Sequence, residues 1–340
     1  MTTSFLDLDA LDAYLRENLP DYRGPLKADK FAIGQSNPTY RLQTPYKTYV
    51  LRRKPPGVLL KSAHAVDREF RVQSALAHSK VPVPEMYLFC SDDSVIGSEF
   101  YVMDHLDGRI FLEPTMAGET NATRTAVIDE MNRVLATLHM VDIEAVGLSD
   151  YGPTGNYFER QIARWTKQYR ASETNQIAEM DKLIAELPRA IPEDDGQRTL
   201  VHGDYRIDNL MFAKEGPRCI GVLDWELSTI GHPFADLAAV IMQWRMPSGP
   251  EGRGLQGVNR ESLGLPSDQA FIDQYCHRRG LPEIENFGFY LAFNFFRMAG
   301  ILQGVFKRAQ DGNASDPERA VLLGSYVPMF AKHGLTALDS

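Results

Sequence analysis

The spacing of apolar residues changes character at Gly108, and that change constrains the fold more than any other feature. Before it, short β-like runs lie at Phe31 to Ile33, Tyr40 to Leu42, Thr48 to Arg53, Met86 to Cys90 and Phe100 to Met103. Gly34, Asn37-Pro38 and Thr44-Pro45 punctuate the first of these, as tight turns in an antiparallel sheet require. Leu8, Leu11, Leu15 and Leu19 recur at helical spacing up to Pro20. Val66, Phe70 and Leu76 mark a second helix, which Val81-Pro82-Val83-Pro84 ends. After Gly108 the helical period dominates, at Val127 to Leu138, Phe158 to Tyr169, Ile177 to Leu187, Phe234 to Trp244, Gln269 to Arg278 and Glu285 to Lys307. Leu200-Val201, Leu210 to Phe212 and Ile220 to Leu223 read as short strands among these helices, and Pro247 to Pro266 as a long loop of the kind that often serves as a lid. The pattern predicts an α+β chain. Residues 1–107 form a small antiparallel β-rich N-lobe with an N-terminal helix, five strands and one further helix, and residues 108–340 form a larger, mainly helical C-lobe. A chain of 340 residues exceeds the usual single core, which agrees with two lobes.

The densest polar stretch lies inside the helical part. His202-Gly203-Asp204 leads through Arg206 and Asp208 to Asn209, and Asp224-Trp225-Glu226 follows the apolar run that ends at Leu223. If the two short strands pair, Asp204, Asn209 and Asp224 could meet. Oxygen donors without cysteine suit a hard cation such as Mg²⁺, which takes few protein ligands and completes its shell with phosphates. His202 is expected to buttress this loop by hydrogen bonds and Asp236 to brace it from a helix N-terminus, while His232-Pro233 reads as a turn. Arg297, on a Phe-rich core helix, suits a pocket or a structural salt bridge equally.

The segments Gly34-Gln35-Ser36-Asn37-Pro38-Thr39-Tyr40, His202-Gly203-Asp204 to Asn209, and Leu223-Asp224-Trp225-Glu226 resemble the aminoglycoside phosphotransferase (kinase-like) family. Tyr49-Val50-Leu51-Arg52, Glu99 to Met103, and Gly231-His232-Pro233 through Ala238 support the likeness. It is closest to the kinase-like domains found alone in bacteria or fused to acyl-CoA dehydrogenases. The resemblance implies a bilobal protein-kinase-like fold and an ATP-dependent transfer of phosphate to a hydroxyl of a small molecule, with Mg²⁺. It implies Asp204 as the catalytic residue that accepts or orients the hydroxyl proton, and Asn209 and Asp224 as metal ligands. The turn at Gly34, Gln35, Ser36 and Asn37 would cap the phosphates through backbone amides. Glu69 would pair with Arg52, and Asp104 and Leu106 would offer backbone groups to adenine. Arg52 stands where many kinases carry Lys; it keeps the charge but grips phosphate as a planar fork.

Charge narrows the partner. The net formal charge of −9 opposes nucleic acid, which needs clustered Lys and Arg. From Arg41 to Arg71 there are eight basic against two acidic residues, and from Arg245 to Arg308 eight against six. A polycationic acceptor needs an acidic receiving surface, so this distribution disfavours an aminoglycoside and tolerates an anion. The resemblance to acyl-CoA dehydrogenase-linked kinases points instead to a hydroxyacyl acceptor, including hydroxyacyl-CoA. The alternatives are an aminoglycoside, amino-alcohol or sugar kinase, and a non-catalytic nucleotide-binding pseudokinase. A metal-dependent hydrolase is disfavoured, since the Asp-x-His and Gly-Asn-His of dinuclear phosphoesterases do not occur. Cys90, Cys219 and Cys276 are far apart, which suggests no disulfide framework. No basic segment followed by an apolar run opens the chain, and Phe287 to Leu302 carries Asn294 and Arg297, so a cytoplasmic protein with no membrane partner is expected.

Overall fold

The computed structural model describes residues 6–31, 37–55, 64–249, 252–314 and 316–340. In chain order the elements begin with α1 (Leu8–Asn18), β1 (Lys27–Lys30), β2 (Thr39–Gln43), β3 (Thr48–Arg53), α2 (Val66–Leu76), β4 (Met86–Cys90), β5 (Phe100–Asp104) and β6 (Gly108–Ile110). There follow α3 (Asn121–Leu138), α4 (Tyr157–Ser172), α5 (Ala178–Glu186), β7 (Thr199–Val201), β8 (Leu210–Ala213), β9 (Cys219–Val222), β10 (Thr229–Gly231) and α6 (Phe234–Trp244). Helices α7 (Asp268–Arg279), α8 (Phe287–Gln310), α9 (Pro317–Gly324) and α10 (Val327–Leu338) complete the order.

These elements gather into two compact units. The first takes Met1–Phe111, Ile143–Leu148 and Ile207–Ser228, and the second Leu112–Asp142, Ser149–Arg206 and Thr229–Ser340. A single cut after residue 107 therefore does not describe them. Strands β8 and β9 return to the first unit because β6 pairs with β8 and β8 with β9, both antiparallel.

In the first unit, five strands form an antiparallel sheet in the order β1-β2-β3-β5-β4. Successive strand residues point to opposite faces, and each face has its own cover. Leu42, Leu51, Phe100 and Val102 pack with Leu11, Leu15 and Leu19 of α1 and its C-terminal end, while Val50, Tyr101 and Met103 pack with Val66 and Phe70 of α2. Arg52 shares the alternation of Val50, and so belongs to the face covered by the helix that carries Glu69.

The first strand differs from expectation. It lies at Lys27–Lys30, ahead of the expected run from Phe31 to Ile33, and pairs Lys27 with Gln43 and Lys30 with Tyr40. It is an edge strand with mostly exposed, charged side chains, which blunt an open edge but give no apolar alternation to read. Ala32 and Ile33 lie outside the described residues.

In the second unit, β7 and β10 form an antiparallel pair beneath the polar loop at 202–206, with Thr229 opposite Val201. Helix α6 is buried almost throughout, and Phe289, Phe293 and Phe296 of α8 are core residues, as their spacing predicts. Helix α8 has 24 residues and is apolar enough to cross a membrane by length and composition, but 67% of its most apolar 18-residue window is buried, as suits a core helix. Helix α10, which was not anticipated, buries Val327, Phe330, Ala331 and Gly334 on one face and packs against α8.

Candidate active site

The antiparallel pairing of β8 with β9 brings Asn209 and the segment preceding Asp224 together. Leu210 faces Val222, and the Leu223 amide donates to the Asn209 carbonyl at 2.8 Å. Past Leu223 the chain turns sharply, with Asp224 in the left-handed region at φ 65° and ψ 59°. Few residues other than glycine adopt this conformation, and Asp is among those that tolerate it best. Trp225 anchors the turn: its buried indole donates to the Val222 carbonyl at 2.9 Å, while Ser228 Oγ donates back to the Trp225 carbonyl at 2.6 Å.

Arg52 reaches this turn from β3. One terminal guanidinium nitrogen donates to Asp224 Oδ1 at 2.6 Å, and the same nitrogen lies 3.9 Å from Glu226. Its Nε lies 3.0 Å from Glu69 Oε2 as an ion pair without hydrogen-bond geometry. Burial by itself would lower the Arg52 pKa, but Glu69, Tyr101, Asp224 and Glu226 outweigh it, so the guanidinium is held firmly protonated. Glu69 is buried and receives hydrogen bonds from Asn37 Nδ2 at 2.8 Å and Tyr101 Oη at 3.1 Å. Burial pushes its carboxyl up to about 7 against the pull of Arg52, with Asp224 and Glu226 adding to the rise. Three carboxylates therefore surround one cation.

The loop containing Asp204 is organised differently, and lies in the second unit. Asp236, buried in the first turn of α6, accepts the His202 amide at 2.6 Å and the Gly203 amide at 2.9 Å. Burial favours its neutral form, but His139 and the loop amide outweigh that and hold Asp236 below the ordinary carboxylate range. His139 sits 3.4 Å from Asp236 and 2.7 Å from Tyr275 Oη; burial lowers its pKa. The Asp204 amide donates to His202 Nδ1 at 3.2 Å, and Arg297 donates to the Gly203 carbonyl at 2.8 Å. The Asp204 carboxylate pairs with Arg206 Nε at 3.2 Å and is about a third exposed.

Every described residue expected at the nucleotide or the metal falls in the first unit, and Asp204 in the second. Gly34, Gln35 and Ser36 lie outside the described residues. Asn37 is fully buried, and its side chain links Glu69 to His64, whose Nδ1 is 2.9 Å from Asn37 Oδ1. The Asp104 amide donates to the Glu85 carbonyl at 2.8 Å. Its side chain accepts from Tyr87 Oη at 3.1 Å. Leu106 packs over the backbone of Gly221, where an added Cβ would come within 2.3 Å of Leu106 Cδ1 and displace that side chain. His202 and Asp236 brace the loop as expected. Among the described residues Arg297 closes no salt bridge and donates to a loop carbonyl instead.

The Asp224 carboxylate, one residue past the amide that bonds the Asn209 carbonyl, and the Asn209 side-chain oxygen are donors without histidine or thiolate that fit Mg²⁺ completed by phosphate oxygens. Among the described residues no cluster of three His, Cys, Asp or Glu side chains offers an all-protein metal cage.

Residues 27–271 match the model of the phosphotransferase enzyme family, APH. The chain is 44% identical over 339 residues to acyl-CoA dehydrogenase family member 11 of Rattus norvegicus, a match covering 97% of this chain but 43% of that relative. A Ralstonia eutropha JMP134 crystal structure, provisionally named an aminoglycoside phosphotransferase, superposes with a TM-score of 0.90 at 46% identity, covering 98% of this chain and 99% of that one. A thermostable mutant of the aminoglycoside phosphotransferase APH(4)-Ia, solved with AMP-PNP and hygromycin B, shares the fold at a TM-score of 0.64 and 15% identity, covering 96% and 98%. The fold is the kinase-like one expected, an antiparallel sheet in the smaller part and helices in the larger.

Proposed function

Because the chain belongs to this phosphotransferase enzyme family, we propose that it moves the γ-phosphate of ATP onto a hydroxyl of a small molecule. The observation that carries the reading is Arg52, a mostly buried cation bound at once to Glu69 and to Asp224. An arginine so held offers a pre-oriented fork to a phosphate, in the manner that planar guanidinium groups favour. Asn209 and Asp224 would hold Mg²⁺, which when bound neutralises charge on the phosphates. The Asp204 carboxylate orients the acceptor hydroxyl and takes its proton as the oxygen attacks phosphorus in line, while the bond to the leaving ADP oxygen breaks. The structured loop around Asp204 supports an active enzyme over a pseudokinase.

The acceptor we favour is a hydroxyacyl compound, including a hydroxyacyl-CoA. The identity with a relative named for acyl-CoA dehydrogenation supports it, although this chain spans less than half of that protein. The modest basic excess from Arg245 to Arg308 supports it too, since a polycation would be repelled. The names of the Ralstonia and APH(4)-Ia proteins favour the second reading, an aminoglycoside acceptor. One screen separates the two: purified protein with Mg-ATP against hydroxyacyl-CoAs, sugars, amino alcohols and aminoglycosides, following the phosphorylated product. Transfer to the hydroxyacyl set is expected. Efficient transfer to aminoglycosides with none to hydroxyacyl-CoAs would overturn the acceptor assignment, and ATP binding with no transfer anywhere would point to a pseudokinase.

A further inference from the structure

The peptide between Gly203 and Asp204 is pinned at both ends by side chains. Its amide end donates to His202 Nδ1, and its carbonyl end accepts from Arg297 at 2.8 Å. Gly203 needs that restraint. It sits at φ 82°, and with no Cβ it has little steric preference for where its own peptide plane points. Asp236 fixes the Gly203 amide on the other side of the same α-carbon, which leaves the plane leading to Asp204 to be set by His202 and Arg297. Arg297 comes from the middle of α8, 94 residues away, and its guanidinium lies 5.8 Å from the ring centroid of Trp165 on α4, a cation–π contact that orients the fork.

We propose that Arg297 is a positioning residue for the transfer: by holding the Gly203 carbonyl it fixes the peptide plane from which the Asp204 carboxylate is aimed, and Trp165 holds Arg297 in place. The inference rests on Asp204 being the catalytic residue. A rotation of that plane would displace the carboxylate by about an ångström, an error that costs on the order of a hundredfold in rate.

The test uses Arg297→Met, which keeps the length and packing of the stem over Trp165 and removes the donor, with Arg297→Lys as the conservative variant. Both are assayed on the full chain beside wild type and Asp204→Ala, with the acceptor that wild type phosphorylates. Arg297→Met should lower kcat by about ten- to a hundredfold with the KM for ATP and for the acceptor within about twofold. Arg297→Lys should recover most of that loss, and the melting temperatures should stay close to wild type. Three results would each overturn the proposal: an unchanged kcat in Arg297→Met, a loss confined to the acceptor KM, or no recovery with Lys. Failure of wild type to phosphorylate any acceptor, or wild-type turnover in Asp204→Ala, would strike the functional reading instead, so the two failures are distinguishable.

Discussion

Two regions of the molecule carry the proposed chemistry, and opposite kinds of interaction hold them. In the first unit, side chains bind side chains: Arg52 is shared among Glu69, Asp224 and Glu226, and Asn37 and Tyr101 satisfy the Glu69 oxygens. In the second, side chains bind backbone: Asp236, His202 and Arg297 fix the amides and carbonyl between His202 and Asp204. The first arrangement has an excess of carboxylates over cations and suits the arrival of positive charge. The second leaves the Asp204 carboxylate partly exposed on a rigid backbone, which suits a residue that must meet a substrate. Charge is prepared in one region and geometry in the other.

Breaking the two regions separately should therefore damage different kinetic constants. Asp204→Ala is expected to lower phosphoryl transfer on the order of a thousandfold while nucleotide binding persists, since the loop amides are held by other side chains. Asp224→Ala should instead weaken the binding of Mg²⁺-nucleotide itself. Titration calorimetry with Mg-AMP-PNP, run beside turnover assays on both variants, checks the split. Should Asp204→Ala lose nucleotide affinity as severely as Asp224→Ala, the division of labour is wrong.

A smaller effect sharpens the first region. Arg52→Lys keeps the charge but replaces a planar fork with a single ammonium, which cannot span Glu69 and Asp224 with the same geometry. The expected outcome is a rise of about tenfold in the KM for ATP, with kcat changed far less, because a fork lost from both ground and transition state removes uniform binding. A wild-type KM for Arg52→Lys would show that only charge matters at this position.

Much of this was legible in the sequence where chemistry is contiguous along the chain. His202 to Asn209 and Leu223 to Glu226 are short, dense runs flanked by apolar strands; the resemblance they carry points to the pairing of Arg52 with Glu69, and the place of Asp236 at a helix N-terminus points to its brace. The supports were hidden by distance. Arg297 reaches Gly203 across 94 residues, and Asn37 reaches Glu69 across 32, and neither contact leaves a periodic or local trace. The Asp104 amide donates to the Glu85 carbonyl, a bond that depends on how β4 leads into the sheet and that no motif encodes. Edge strand β1 escapes the sequence for the opposite reason: its lysines and Asp29 suppress the alternation by which strands are recognised.

The smallest effect tests whether the first region carries more negative charge than Arg52 can balance. Burial, together with Asp224 and Glu226, holds the Glu69 carboxyl near 7, against an ordinary value of 4.5. With the folded pKa raised, the native state binds more protons than the unfolded chain between about pH 4.5 and 7, so stability should fall as pH rises through that window and level off above it. Glu69→Gln keeps the shape and removes the titration, so this part of the slope should vanish in the variant. Chemical denaturation of both proteins from pH 4.5 to 8 measures the difference between their stabilities, which should shift in favour of the variant with rising pH and reach a plateau above 7. A parallel pair of curves would mean that Arg52 alone keeps Glu69 ionised, and that the carboxylates here are balanced without a bound cation.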